Sequence, residues 1–156
     1  MQQYTWIYSL NDTLSAVQNE ALTAQFQAFS QNWKSHGTPV EGTVNIHYQR
    51  FVIVQADMRS ERPSGCSIDS MRKTVENVLK EQGFFYTDAS QIHYRNAGNE
   101  IAFVSFREVV NLLANEEMNE NTVIFDNTLS NSDDLNKWEV PLAQTWLKRF
   151  LKRPMR

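Results

Sequence analysis

Residues 43–54, TVNIHYQRFVIV, decide the fold. Up to Gln49 the stretch alternates, with Val44, Ile46 and Tyr48 facing one way and Asn45, His47 and Gln49 the other, the period of a half-buried strand. Phe51 to Val54 is continuously apolar, as in a strand covered on both faces. Two strands so close in sequence are read as neighbours. A short connection makes them antiparallel, because parallel pairing needs a long crossover.

Working toward the amino terminus, Tyr4 to Ser9 reads as another strand, with Tyr4, Trp6 and Tyr8 on one side. Leu14, Val17, Leu22, Phe26, Phe29 and Trp33 recur at steps suited to a helix. The spacing predicts a helix over 14–35, capped within Asn11 to Thr13 and stopped by Gly37 and Pro39. In the other direction, Arg59 to Gly65 is a polar loop with Pro63 and Gly65 as breakers. A helix over 68–82 follows, with Met71, Val75, Val78 and Leu79 inward and Gly83 ending it.

Gln91 to Arg95 and Glu100 to Ser105 flank the turn sequence NAGN and predict a hairpin. Ser105 with Glu108 is a capping-box pattern opening a helix through Ala114. Thr122 to Phe125 is a short strand, Asp126 to Lys137 a polar loop, and Pro141 suits the first turn of a final helix through Lys152. The expected fold is α+β, one globular domain over 1–156 with a mixed, mostly antiparallel sheet covered by about four helices.

The 156 residues include four Trp, five Tyr and nine Phe, large apolar area of the kind that disordered chains lack. A chain of this length buries roughly 70% of its unfolded surface. The start, MQQYTWIYSLND, has no basic region followed by an apolar run, and no stretch approaches a membrane span. The single Cys66 excludes an internal disulfide and a multi-cysteine metal site. A cytoplasmic location follows as the expectation.

The net charge is −3, and the last ten residues, LKRFLKRPMR, hold five cations, leaving −8 on the rest. An acidic body repels phosphate backbones, which disfavours nucleic-acid binding. The basic tail reads as cations complementing a helix end, with a polyanion or partner contact as the alternative.

None of the five glycines precedes a lysine, so the P-loop is missing, and no two lie two residues apart, so the dinucleotide fingerprint is missing too. His36, His47 and His93 show no metal-ligand spacing, and no cofactor is expected. His47 and His93 sit on the polar sides of their strands. If those strands share a sheet, the two line a groove with Arg95.

The candidate functional feature is SGCSID, residues 64–69, at a loop-to-helix junction. Cys66 falls just before a helix for which Ser67, Asp69 and Ser70 compete as caps. Free N–H groups and the positive helix end favour a thiolate there. Asp69 opposes it, and packing or capping is the plainer explanation. Ser64, Gly65, Ser67, Asp69 and Arg72 are the candidate ligand-binding residues. Cys66 is the candidate nucleophile, with His36 the first candidate base. Cys66 to Arg72 also has the CxxxxxR spacing of cysteine phosphatases, without the glycines that let amides converge on phosphate.

Three stretches, FQAFSQNWKSHG at 26–37, SGCSID at 64–69 and FDNTLSNSDDLNKWEVPLAQTW at 125–146, carry a family resemblance. Together with the opening WIY, they resemble a family of short uncharacterised bacterial proteins, chiefly from Bacteroidetes, often labelled "ABC transporter ATPase". The resemblance covers nearly the whole chain and implies no catalytic residues.

The leading expectation is a non-enzymatic binding or interaction domain with a contact site near SGCSID, recognising a protein or small-molecule ligand. A second possible partner surface is Trp138, Trp146 and the loop Asp126 to Lys137, unless both indoles simply pack the last helix. The alternative is a small hydrolase or transferase using Cys66. Membrane contact is not expected.

Overall fold

A computed structural model describes residues 2–35, 37–58 and 64–151. The fold is α+β, with antiparallel sheets and helices. It falls into two compact units, one built from the chain up to Thr87 with Leu129–Asp133, the other from Asp88–Thr128 and the chain from Asp134 onward.

In the first unit β1 (Gln2–Ser9), α1 (Ala16–Asn32), the two-residue strands β2 (Lys34–Ser35) and β3 (Thr38–Pro39), β4 (Glu41–His47), β5 (Phe51–Met58) and α2 (Gly65–Glu81) follow in order. The sheet order is β1-β5-β4, with both pairings antiparallel. The apolar run Phe51 to Val54 therefore becomes the central, buried strand. Trp6 and Val44 both pair with Val54, and Tyr8 and Ile46 with Val52, so these side chains share one face. That face joins Leu22, Phe26, Met71, Val75 and Leu79 of the two helices in one core.

α1 is shorter than its apolar spacing suggested. Ser15 caps it, accepting from the Gln18 N–H while the Gln18 side chain accepts from the Ser15 N–H, a reciprocal capping box. Leu14 is thereby left before the helix, buried, with its N–H donated to the Gln49 carbonyl. Val17 is 77% exposed and takes no part in the core stripe. At the far end Trp33 turns extended just before β2, its carbonyl accepting from the Val40 N–H at 2.9 Å.

β4 and β5 are joined by a tight turn in which Tyr48 and Gln49 both have φ of 55°, a left-handed conformation costly for side chains with a Cβ. Surroundings over-determine it. Buried Arg50 donates through Nε to the Leu10 carbonyl at 2.9 Å and through Nη1 to Thr13 Oγ1 at 3.2 Å, and the Leu10 N–H returns to the Arg50 carbonyl at 2.8 Å. β1 is an edge strand whose outer side is partly occupied by 129–133. Thr5 donates its N–H to the Ser130 carbonyl at 3.0 Å, and Tyr4 bridges Asn131.

In the second unit β6 (Gln91–Arg95), β7 (Ile101–Ser105), α3 (Phe106–Ala114), β8 (Val123–Phe125) and β9 (Glu139–Pro141) form a sheet of order β7-β6-β8-β9 with α3 following β7. The NAGN turn forms as expected: Asn96 Oδ1 accepts from the Gly98 and Glu100 N–H groups, each at 3.0 Å, and Asn99 is left-handed. Ser105 caps α3 by accepting from the Glu108 N–H. Ile92, Val109, Met118, Ile124, Leu142 and Leu147 make the core.

The final helix is not continuous. Pro141 ends β9, and two 3₁₀ turns, Leu142–Gln144 and Trp146–Phe150, replace it. Thr145 breaks the run at φ −112° and ψ 172°, donating Oγ1 to the Leu142 carbonyl and accepting from the Leu147 N–H. A side chain bonding its own backbone in this way competes with helical pairing. The polar stretch before β9 likewise contains a 3₁₀ turn, Ser132–Lys137.

Candidate functional site

SGCSID is first of all a helix start. Ser64, rather than Ser67, Asp69 or Ser70, is the cap: its Oγ accepts from the Ser67 N–H at 3.1 Å, while Ser67 Oγ donates to the Ser64 carbonyl at 2.8 Å. The Ser64 N–H reaches Ser35 Oγ at 3.1 Å, and the buried Trp33 indole donates to the Ser67 carbonyl at 3.0 Å. The β2–β3 ladder thus holds Trp33 and Ser35 against the first turn of α2. Ser67 is buried by this role.

Gly65 and Cys66 are the first exposed residues of the helix rather than the end of a loop. Among the described residues Cys66 makes no hydrogen bond or ion pair, and its proposed base, His36, lies outside them. The CxxxxxR spacing runs along continuous helix from Cys66 to Arg72, so from Ile68 onward its amides bond within the helix and do not converge as a phosphate cradle. Arg72 instead pairs with Asp69 at 2.6 Å, and Lys73 adds 3.0 Å to the other oxygen. The Lys73 and Arg72 hydrogen bonds and charges, Lys73 foremost, hold the Asp69 carboxyl below the usual carboxylate range.

The shared sheet that a histidine groove required does not form. His47 lies in the β1-β5-β4 sheet and His93 in the β7-β6-β8-β9 sheet, so they share no register. His93 is fully buried and stacked on Phe103 at 5.0 Å rather than standing on a polar side. Burial lowers the His47 pKa. Arg95 pairs with Glu139 at 2.9 Å and lies over the Phe125 ring.

Two surfaces escaped the spacing arguments. At the end of α2, Gly83 is left-handed, and the Gly83 and Phe84 N–H groups return to the Lys80 and Leu79 carbonyls, a Schellman motif. The chain then runs beside the end of β1, with Asn11 and Phe85 exchanging hydrogen bonds. An open groove of about 550 Å³ results, lined by Glu76, Lys80, Gly83, Phe84, Phe85 and Tyr86. Tyr86 donates to Glu76 at 2.6 Å and meets the Tyr8 ring edge to face, while Tyr8 donates to Met71 Sδ. Burial first, then the neighbouring Tyr86, pushes Tyr8 up to about 12, and burial first, then the hydrogen bond and charge of Glu76, pushes Tyr86 up to about 12.

The second surface belongs to α3 and the last 3₁₀ turn. Phe106 and Val110, one helical turn apart, are exposed, and Trp146 is 41% exposed. The Trp146 ring lies 6.4 Å from Phe106 and 6.0 Å, edge to face, from Phe150. Arg107 covers Phe106 and Arg149 covers Phe150, their guanidinium carbons 5.9 and 5.3 Å from the ring centres. Buried Thr145 and Leu147 bracket Trp146 and fix where it stands. Trp138 differs. It is 6% exposed, rests on Phe125 and donates to Asn127 Oδ1 at 2.9 Å, so it packs the interior.

Among the described residues no group of three or more His, Cys, Asp or Glu side chains is placed to hold a metal ion, and no helix is long and apolar enough to cross a membrane. No family model, no curated protein and no solved structure matches the chain.

Proposed function

We propose that this protein is a non-enzymatic interaction protein, and that its contact surface is the Phe106, Val110, Trp146 and Phe150 cluster rather than the interior of SGCSID. The observation that carries the reading is Trp146, a large apolar ring held exposed beside two further aromatic rings and two arginines. Exposing such area to water is unfavourable unless something covers it, and Trp and Arg dominate binding energy at protein contacts. In SGCSID, Ser64 and Ser67 are committed to capping. Gly65, Cys66 and Arg72 remain exposed on α2, with Arg72 paired to Asp69.

The competing reading is a hydrolase or transferase using Cys66, favoured by its exposure on the first turn of α2. Affinity capture from lysate with the parent, Trp146→Ala and Cys66→Ser forms separates the two. Loss of a captured protein on Trp146→Ala, but not on Cys66→Ser, is the expected result. Identical capture by the parent and the Trp146→Ala form, with alkylation of Cys66 by iodoacetamide far faster than that of a free thiol, overturns the reading in favour of the enzyme.

A further inference from the structure

Resting on the reading of the Trp146 surface as a contact site, we propose that its partner is an acidic peptide segment of another protein that places an apolar side chain on Trp146 and carboxylates on Arg107 and Arg149. A guanidinium lying over an aromatic ring is drawn to the ring face and still has N–H groups to offer a ligand. Both arginines are arranged this way, and neither makes a hydrogen bond or ion pair with a described residue. Five donors in a rigid fork then meet a planar carboxylate in a bidentate pair.

No carboxylate of α3 competes. Glu108 lies two residues from Phe106, about 200° around the helix from the exposed stripe of Phe106 and Val110, and accepts from Asn111 at 3.1 Å. Lys148 adds a third exposed cation on the Trp146 turn, and Lys152, Arg153 and Arg156 continue the basic run in sequence. Apolar rings ringed by cations suit a segment in which acidic and apolar residues alternate.

Two other occupants fit less well. A second copy meeting the same surface about a twofold axis sets arginines against arginines, a like-charge contact. A nucleic acid gains stacking on the rings but brings no aliphatic side chain to Val110 and Trp146.

The test is fluorescence anisotropy with the full chain and four labelled probes: a synthetic peptide of Glu, Asp, Leu and Phe, the same peptide with Gln for the acids, the same with Lys, and single-stranded oligo-dT. The acidic peptide is expected to bind at least about tenfold tighter than the Gln peptide, with the advantage shrinking as salt rises. Trp146→Ala, and separately the double variant Arg107→Glu with Arg149→Glu, should each remove that binding while circular dichroism stays unchanged. Val110→Ala, trimming the stripe without touching the rings or charges, keeps the test meaningful if either variant misfolds, and should weaken binding less.

Equal binding of the acidic and Gln peptides, tighter binding of the Lys peptide or oligo-dT, or Trp146-dependent dimerisation in sedimentation each overturns the acidic partner. So does failure of the acidic peptide to bind. If lysate capture still depends on Trp146 in those cases, the contact reading survives the loss of this inference; if it does not, both fall.

Discussion

The indole nitrogen of Trp33 donates to the carbonyl of Ser67, 34 positions along the chain, at 3.0 Å, tying the residue that ends α1 to the first turn of α2. The same ring lies against Gly42 on β4. A Cβ at Gly42 would sit 2.7 Å from both Cε3 and Cζ3 of the indole, closer than real Cβ contacts come. Gly42→Ala should destabilise by about 1–3 kcal/mol, because a rigid buried ring cannot swing aside. Combining it with Trp33→Leu should cost less than the two single changes summed, since the smaller side chain makes room. Urea unfolding of the four forms measures the coupling, and simple additivity would refute the contact.

The start of α2 predicts unequal effects from neighbouring residues. Ser64→Ala removes the cap and should cost about 1 kcal/mol. Cys66→Ser, on the exposed side of the same turn, should change stability by no more than about 0.5 kcal/mol. Thermal unfolding distinguishes them; a larger loss at Cys66 than at Ser64 would show that the thiol is packed.

Trp138 and Trp146 should behave oppositely. Trp138→Ala empties a buried site and removes the indole hydrogen bond to Asn127 Oδ1, for a loss of about 3–5 kcal/mol. Trp146→Ala removes a half-exposed ring and should cost less than about 1.5 kcal/mol. Chemical denaturation of the two variants decides, and similar losses would mean that Trp146 serves the core.

Alkali should destabilise the first unit. Tyr8 and Tyr86 hold their protons in the folded state up to about 12, against the ordinary 10.0. The unfolded chain therefore releases protons first, and their contribution, complete below pH 10, is lost as pH rises toward 12. Tyr8→Phe should flatten that loss. His47 acts at the other end: its pKa is lowered from 6.5, so stability falls as pH drops below 6.5 toward its folded value, where the unfolded chain takes up the proton more readily. His47→Gln should remove this slope in a pH series of melting curves, and an unchanged slope would place its cause elsewhere.

The turn at Tyr48 and Gln49 offers a gain. Both are left-handed, which Asn and Gly adopt more easily. Tyr48→Asn with Gln49→Gly should raise stability by about 0.5–1 kcal/mol once the extra freedom of glycine in the unfolded chain is set against the relief. A lower midpoint in denaturant would mean that the Tyr48 side chain contributes more than its conformation costs.

The sheet around Phe51 to Val54, the inward stripe of α2, the NAGN hairpin and the Ser105 cap were legible in the sequence, because each rests on neighbours a few positions apart. The misread parts involve competition. At α1, Val17 fitted the apolar spacing, but Ser15 with Gln18 set the helix start and left Val17 on the outer side. At α2, several serines were available, and the choice of Ser64 depended on Ser35 and Trp33, which are distant in sequence. The last helix failed at Thr145, whose hydroxyl bonds its own backbone. The exposed aromatic surface is half visible in the sequence: Trp146 stands out there, but its grouping with Phe106 across about forty positions is a tertiary fact with no periodic trace.

The bridge between Tyr4 and Asn131 has a consequence for biosynthesis. The first unit includes 129–133, so its edge strand waits for residues made more than forty positions after Thr87. On the ribosome, the elements from β1 to α2 emerge before 129–133, so the outer edge of β1 at Tyr4 and Thr5 stays uncovered by that segment in the interval. Any chaperone contact made during translation should fall on that waiting strand.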